Sequence, residues 1–278
     1  MLELDDLIIQ IQHLALITRM KKYLQQLQKH LPKVWIEKIQ HFHSRLICLW
    51  ISSHKNQILK FTQKSAMVFS PHQDDETFGC GGMIALKREY GVPVIVTFLT
   101  NGQGAANAEP NYQHKIIQTR KQEALTALQI LGVEPSAIHF LEKPDGTLPD
   151  LTLEEKQQTI AQITALLVQH QPEEVYVPHH QDCHRDHEAT YELVKQAIIQ
   201  AKISVDLIEY PVWLFWRAPL LLMLKLSDIA ATACFSIVSV QDKKIRAISS
   251  YHSQIVNLPR GFIQGFLGSE EIFFKSEF

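Results

Sequence analysis

The first quarter of the chain alternates apolar and polar positions with the period of an α-helix. Between residues 1 and 62, apolar side chains recur at spacings of three and four, as at Leu7, Ile11 and Leu14, with lysine and glutamine between them. This pattern predicts helix. Pro32 divides it into two helices, because proline cannot continue the hydrogen bonding of the first.

From residue 65 onward, short continuous apolar runs alternate with amphipathic stretches. The runs predict buried strands at 66–70, 94–100, 138–141 and 175–178. The amphipathic stretches predict helices at 83–90, 113–131, 152–169 and 188–201. A glycine-rich turn is expected at 78–82. The alternation predicts an α/β domain over residues 64–278, with a mostly parallel sheet and helices on both faces. Residues 1–63 are predicted to form a helical extension of this domain.

The amino-acid composition excludes some classes of protein. Hydrophobic residues make up 46% of the chain, which excludes a disordered protein, and 27 basic against 29 acidic side chains predict no nucleic-acid partner. The basic residues are concentrated, since residues 1–64 hold 10 Lys and Arg but only 4 Asp and Glu. Four cysteines without CxxC spacing indicate a reducing compartment, and we expect a cytoplasmic protein.

The most apolar stretch, residues 210–240, is interrupted by Arg217, Lys225 and Asp228, so it lacks the run of about 18 uninterrupted apolar residues that a membrane span needs. It contains Trp213 and Trp216, which either pack in the core or form an exposed interfacial patch. An exposed patch, together with the basic N-terminal region, would give peripheral membrane contact and suit a lipid-linked substrate.

Three consecutive acids follow the first predicted strand, in the segment Pro71-His72-Gln73-Asp74-Asp75-Glu76. Carboxylates this close to an apolar core repel one another, so a cation or a helix N-terminus must compensate them. His72 and Asp75 are three residues apart on a tight turn and can converge on one metal ion, while Asp74 points elsewhere. A helix-capping acidic turn with an incidental histidine is the alternative.

A second cluster, His179-His180-Gln181-Asp182-Cys183-His184-Arg185-Asp186-His187, follows the strand at 175–178. His184 and His187 form an HxxH pair that enters a helix and presents two imidazoles to one site. His179 and His180 are better explained as loop residues.

Both segments follow strand ends, where an open α/β sheet binds ligands. Together they supply His, Asp and His, and three protein ligands with an open fourth position are typical of a catalytic zinc that activates water. Asp74, beside a ligand, is the candidate general base. His184 is the candidate either to stabilise the oxyanion or to protonate the leaving amine.

These segments resemble the motifs of the PIG-L/LmbE-like family of zinc-dependent N-acetylglucosamine deacetylases. Residues 71–76 match the family's PHPDDE and residues 184–187 its HPDH, although Gln73 and Arg185 stand where the family commonly has proline. Looser matches lie at residues 119–124 and 250–254. The resemblance covers residues 65–201, roughly half of the chain, and implies a Rossmann-like fold.

The resemblance also implies residue roles. It implies three Zn²⁺ ligands: His72, Asp75 and His187. It implies Asp74 as the base and His184 as its electrostatic partner, and it suggests that Asp186 orients a histidine. It places three residues in contact with the substrate: Arg120, Asp145 and His252.

The leading hypothesis is a zinc-dependent amidohydrolase that removes the N-acetyl group from an N-acetylglucosaminyl glycoconjugate, either a small molecule or a lipid-linked sugar. A metal-dependent phosphoesterase is an alternative, because acidic clusters also bind Mg²⁺, but imidazole ligands favour zinc. A glycan-binding protein without activity is the other alternative, although it would have no need of Asp74 and His184.

Overall fold

A computed structural model describes residues 32–54, 57–104, 110–218 and 224–276. The helix predicted within residues 1–31 lies outside these ranges. The described helices are α1 (Lys33–His54), α2 (Asp75–Glu89), α3 (Pro110–Leu131), α4 (Leu153–His170), α5 (Arg185–Ala201), α6 (Leu214–Arg217), α7 (Leu226–Ala230), α8 (Gln241–Ser249), α9 (His252–Ile255) and α10 (Arg260–Gln264). The strands are β1 (Gln57–Ile58), β2 (Ala66–Ser70), β3 (Val94–Thr100), β4 (Ile138–Lys143), β5 (Glu174–Pro178), β6 (Asp206–Tyr210), β7 (Thr232–Ser236) and β8 (Glu270–Lys275).

These strands form one sheet in the order β1-β7-β8-β6-β5-β2-β3-β4. Neighbouring strands are parallel, except that β8 runs antiparallel to both β6 and β7. The predicted α/β fold with a mostly parallel sheet is confirmed. The four predicted strands and the helices after residue 110 are also present, each within a few residues of its expected bounds.

Alternate residues of β2 enter different cores, as the two-residue period of a strand requires. Val68 packs with residues of α2, α3 and α8 on one face of the sheet. Met67 and Phe69 pack with residues of α4 and α5 on the other. Helices therefore cover both faces of the central strands, which explains why those strands are continuous apolar runs in the sequence.

The helix α1 packs against the end of the sheet that carries β7 and β8. Its inward side chains Ile47 and Ile51 are buried in a third cluster with Leu214, Phe215 and Phe274. The helix ends at His54, and β1 then pairs with β7, so the prediction of helix as far as residue 62 is wrong after residue 54. The domain boundary after residue 63 stays a prediction.

The glycine-rich turn predicted at 78–82 is wrong, because α2 runs unbroken through it. The glycines there serve close packing. A Cβ on Gly79 would lie 2.2 Å from Cδ2 of Tyr210, and one on Gly82 would lie 2.4 Å from Cγ2 of Ile237. Glycine lets this helix approach β6 and the segment after β7 more closely than alanine could.

Of the two interpretations of Trp213 and Trp216, packing in the core is confirmed and the exposed patch is wrong. Trp216 is only 5% exposed. The ring of Trp213 stacks on Phe262 at 4.3 Å between centroids. The guanidinium of Arg217 lies 3.8 Å from the centroid of the Trp213 ring. Among the described residues, no helix has both the length and the apolar character to cross a bilayer.

The strand β2 lies at a topological switch point. From β2 the chain proceeds to β3 and β4 on one side of the sheet, and then to β5 and β6 on the other. The connections leaving the carboxyl ends of β2 and β5 diverge and open a crevice between them, which is where open α/β sheets bind ligands.

Candidate metal centre and active site

Three histidines from the two sequence motifs meet in this crevice. His72 follows β2, whereas His184 and His187 lie at the start of α5, after β5. One ring nitrogen from each of the three lies within 4.8 Å of the others, so they form a group that could hold a metal ion.

Asp75 joins two of these histidines. Its Oδ2 lies 2.9 Å from Nδ1 of His72 and 3.1 Å from Nε2 of His187. Asp75 occupies the first position of α2, and all three residues are buried. Two imidazole nitrogens and one carboxylate oxygen thus converge on one point.

A carboxylate holds the other nitrogen of His72. Oδ2 of Asp186 accepts from Nε2 of His72 at 3.1 Å, and Asp186 also accepts from the backbone amides of Gly146 at 2.7 Å and Leu148 at 3.2 Å. Asp186 thus contacts His72 rather than either histidine of the HxxH pair, and its role in orienting a metal ligand stays a prediction.

Asp182 holds His187 in the same way. Its Oδ2 accepts from Nδ1 of His187 at 2.7 Å, and its two oxygens accept from the backbone amides of Val212, Trp213 and Leu214 at 2.9–3.0 Å. The carboxylate is fully buried, so these hydrogen bonds fix its position and thereby the orientation of the imidazole.

These contacts determine which nitrogens can bind a metal. A neutral imidazole that donates through one nitrogen presents a lone pair on the other. Nδ1 of His72 and Nε2 of His187 are therefore the nitrogens that could bind an ion, and both lie close to Oδ2 of Asp75. Nε2 of His187 is buried and lies 3.1 Å from Oδ2 of Asp75 without hydrogen-bond geometry, as expected of two atoms that could share an ion. Two imidazoles and a carboxylate are a donor set that suits zinc, so these residues fit a metal ion.

The electrostatics of the cluster favour positive charge. Burial lowers the pKa of His187, but Asp75 and Asp182 outweigh it and raise that pKa to about 9. Burial raises the pKa of Asp75, but His187 and His72 hold it well below its usual range. A divalent cation would satisfy the same carboxylates that here stabilise protonated histidines.

His184 differs from its two neighbours. Burial lowers its pKa to about 3, and the positive charges of His187 and His72 add to the effect. Its ring lies 4.7 Å from the ring of His187 between centroids, and its Nδ1 is buried without a hydrogen-bond partner. The imidazole is therefore neutral and lies beside the proposed ligands.

Asp74 lies at the start of α2 in a backbone conformation that L residues rarely adopt, with φ of 156°. Such strain costs about 1–3 kcal/mol and persists where neighbours impose it. Gln73, standing where proline is common, is tied down on both sides: its Nε2 donates to the carbonyl of Thr100 at 2.7 Å, and its own carbonyl accepts from Gln254. Burial raises the pKa of Asp74 well above the usual value, and the charge of Asp75 raises it further.

Two of the three expected substrate contacts border this cluster. Oδ1 of Asp145 lies 3.2 Å from Nε2 of His72, and its Oδ2 lies 3.6 Å from Nη1 of Arg120. His252 is not part of the cluster. It is exposed at the start of α9 and lines an open depression with Gln122 and Glu123.

His179, His180 and Glu209 form another group with metal-like spacing. Nδ1 of His179 accepts from the backbone amide of Gln181 at 3.1 Å, so its proton is on Nε2, the atom that would have to bind the ion. Nδ1 of His180 lies 2.7 Å from a carboxylate oxygen of Glu209. The group is a histidine–carboxylate pair, consistent with the expectation of loop residues.

Sequence reasoning gave no role to two residues that shape the site, Asp182 and Gln254. Asp182 lies within the quoted histidine cluster, five positions before His187, and a buried-carboxylate role could have been suspected from that spacing. Gln254 falls in the loose match at 250–254, but nothing in the sequence shows that it reaches Gln73.

Comparisons with known proteins agree with these motifs. A family model described as PIG-L, GlcNAc-PI de-N-acetylase, matches residues 67–198. The probable N-acetyl-α-D-glucosaminyl L-malate deacetylase 2 of Bacillus subtilis is 28% identical over 151 residues, which are 50% of this chain and 63% of that protein. The 4-oxalmesaconate hydratase of Pseudomonas putida is 28% identical over 146 residues, which are 50% of this chain and 54% of that protein.

The fold is similar to that of the N,N'-diacetylchitobiose deacetylase from Pyrococcus horikoshii, with a TM-score of 0.59 and 20% identity over 77% of this chain and 84% of that one. The chain spans less than two thirds of the length of the two curated relatives. The family match includes both histidine segments and the strands that position them. Over residues 67–198, which carry both motifs, this chain matches the PIG-L/LmbE-like deacetylase family.

Proposed function

We propose that this protein is a zinc-dependent N-deacetylase that removes the acetyl group from an N-acetylglucosaminyl glycoconjugate. One observation carries the proposal. Nδ1 of His72 and Nε2 of His187 both face the Asp75 carboxylate, and the opposite nitrogen of each ring is held by a buried aspartate.

In this proposal the metal is held by His72, Asp75 and His187. Bound there, zinc would supply a Lewis acid that polarises the acetyl carbonyl and acidifies a water molecule. Asp186 and Asp182 keep the two rings in the required tautomers, so that the ligand lone pairs are available without rearrangement.

Asp74 is the proposed general base. It adjoins the ligand Asp75 in sequence, and its carboxylate accepts a proton from the attacking water and passes it to the leaving amine. The backbone of Asp74 supports this role, because residues held in rarely populated conformations cluster at active sites.

His184 is the proposed partner of the oxyanion. The ring packs beside His72 and His187, and its environment keeps it neutral, so it donates one hydrogen bond and is a poor source of a proton. This supports stabilisation of the oxyanion rather than protonation of the amine.

Arg120 and Asp145 are proposed to bind sugar hydroxyls or an attached anionic group, since both lie at the edge of the histidine cluster. The attached group is open: a malate, as in the name of the Bacillus subtilis relative, another sugar or a lipid. A cytoplasmic location is also part of the proposal. It is supported by the four cysteines, none of which forms a disulfide.

The test is amine release from a panel of N-acetylglucosaminides. The purified protein is treated with a chelator, dialysed, and assayed before and after addition of Zn²⁺. We expect activity to be lost on chelation and restored by zinc, and the zinc-loaded Asp74→Asn variant to remain nearly inactive.

Three outcomes would contradict the proposal. Release of phosphate from sugar phosphates with Mg²⁺ would favour a phosphoesterase. Hydration of an unsaturated carboxylate, the reaction class indicated by the name of the Pseudomonas putida relative, would place the chain with that relative instead. Binding of glycans by the zinc-loaded protein without amine release would indicate a binding protein.

A further inference from the structure

The outward face of α1 carries a row of exposed apolar side chains, here called the α1 stripe: Trp35, Ile39, Phe42, Leu46 and Leu49. Each is 50–65% exposed. They recur at spacings of four, three, four and three residues, so on a helix they lie within an arc of about 80° and extend over about 21 Å. An uninterrupted apolar row of this size marks an interaction site.

The opposite face of α1 is already occupied. Ile47 and Ile51 are buried against Leu214 and Phe215 of α6. The helix is therefore fixed to the domain by one apolar face and presents a second one outward. The stripe is not needed to hold α1 in place.

The charges beside the stripe indicate the chemistry of its partner. Lys38 and Arg45 are exposed along one border, and Lys33 is exposed at the amino end of the helix. The acid within α1, Glu37, lies nearer the buried side. The wider region has the same sign, with 10 basic and 4 acidic residues among residues 1–64.

We propose that the α1 stripe docks on an anionic lipid bilayer. Tryptophan, phenylalanine and leucine facing one way, with lysine and arginine along the border, match the requirements of a helix lying in the plane of a membrane interface. A second copy of the chain fits less well, because pairing two stripes would bring Lys38 and Arg45 close to the same residues of the other copy.

The stripe also lies close to a path toward the site. The amino-terminal half of α1 borders a groove with Trp216 and residues 256–261. That segment follows Gln254, whose side chain bonds to the carbonyl of Gln73 beside Asp74. Docking by the stripe would bring this groove toward the lipid surface and would favour a lipid-linked sugar. This last clause rests on the proposed function, whereas docking itself does not.

The test is co-sedimentation of the full chain with vesicles of phosphatidylcholine alone, or with about one third phosphatidylglycerol, at low and high salt. We expect binding to the anionic vesicles that weakens as salt screens the charges. The Trp35→Glu/Phe42→Glu variant should bind at least tenfold more weakly. The Lys38→Gln/Arg45→Gln variant should lose most of the vesicle binding that depends on salt concentration.

The matched control is Ile199→Glu/Val238→Glu, which places the same charges at equally exposed apolar positions on other parts of the surface. It should bind as the unaltered chain does. All variants should hydrolyse a soluble N-acetylglucosaminide at the unaltered rate if the proposed function holds. Failure of hydrolysis alone would leave the vesicle result standing.

Equal binding by the Trp35→Glu/Phe42→Glu variant and the unaltered chain would overturn the proposal, as would the absence of binding by the unaltered chain. A dimer in solution that this variant dissociates would show that the stripe contacts a second copy instead. A large fall in the melting temperature of this variant would show that the stripe packs against other residues of the same chain.

Discussion

Oδ2 of Asp186 accepts a hydrogen bond from Nε2 of His72 at 3.1 Å, although 114 positions separate the two residues. The bond joins the loop after β2 to the start of α5 and fixes the tautomer of His72. Replacing Asp186 with alanine removes the acceptor and frees the ring to rotate, so we expect zinc affinity to fall roughly 10- to 100-fold.

A titration of the apoprotein with buffered zinc measures this effect. The control is Asp150→Ala, which removes a carboxylate that pairs with Arg185 at 2.7 Å on the surface. That variant should bind zinc as the unaltered chain does. Unchanged affinity in a folded Asp186→Ala protein would show that the contact does not support the metal.

The second prediction concerns Asp74. The Asp74→Asn variant keeps the size of the side chain but cannot accept a proton, so turnover should fall roughly 10²- to 10⁴-fold. Zinc content, measured by atomic absorption, should stay at one per chain, because Asp75 and the two histidines are untouched. Near-normal turnover in the zinc-loaded variant would assign the base to another residue.

The third prediction concerns metal removal and stability. Asp75, Asp182 and Asp186 are buried carboxylates around the two histidines, and a cation that binds there stabilises only the folded state. At a free zinc concentration of 100 times the dissociation constant, stability should increase by about 2.7 kcal/mol. Thermal melts with and without zinc measure this, and the His187→Ala variant should show little of the increase.

The fourth prediction tests the packing of α2. Alanine at Gly79 would place its Cβ 2.2 Å from Cδ2 of the buried Tyr210, so Gly79→Ala should destabilise the protein by at least about 2 kcal/mol. Gly81→Ala is the matched control. Its Cβ would lie 3.3 Å from Cγ of Lys244 and 3.4 Å from Cγ2 of Thr77, contacts that small side-chain shifts relieve. The helix also gains propensity, so the stability should change by less than about 1 kcal/mol. Urea denaturation compares the two variants.

The fifth prediction is a pH dependence at the pair of His180 and Glu209. The hydrogen bond to Glu209 raises the pKa of His180 above 6.5. Its stabilising contribution is therefore complete below pH 6.5 and is lost as the pH rises through the folded-state value. Burial raises the pKa of Glu209, but His180 outweighs it and lowers that pKa below 4.5. The carboxylate's contribution is present above pH 4.5 and is lost as the pH falls through its folded-state value.

Both contributions are complete between pH 4.5 and 6.5. The His180→Gln variant should therefore lose more unfolding free energy at pH 6 than at pH 9. Denaturation curves at the two pH values measure this, and the exposed His114→Gln serves as the control. An equal loss at both pH values would show that the charge of His180 does not contribute.

The hydrophobic pattern of the sequence predicted the strands of the central sheet. The strands β2, β3 and β5 are buried on both faces, and a strand buried on both faces needs a continuous run of apolar residues. That run is visible in the sequence. Because the carboxyl ends of parallel strands lie at the same edge of a sheet, the sequence alone predicts that the acidic and histidine segments lie near each other.

What the patterns missed depends on contacts between distant residues. A glycine that lets a helix pack closely on Tyr210 cannot be distinguished in the sequence from a glycine in a turn. The prediction of a turn at 78–82 failed for this reason. The sequence left open whether Trp216 is buried or exposed, because the side chain that packs against it, Phe262, lies 46 positions further on. The pairing of Asp186 with His72, rather than with an adjacent histidine, is likewise visible only in three dimensions.

The position of β8 has a consequence for how the protein is made. It lies between β6 and β7 and connects β1 and β7 to the other strands. Glu271 on this strand also accepts from the amides of Gly82 and Met83 and pairs with Lys244. During synthesis, β7 cannot join the rest of the sheet until β8, residues 270–275, has left the ribosome and can pair with it. Until then β6 is an open edge able to pair with other chains, so an interrupted nascent chain is an aggregation hazard.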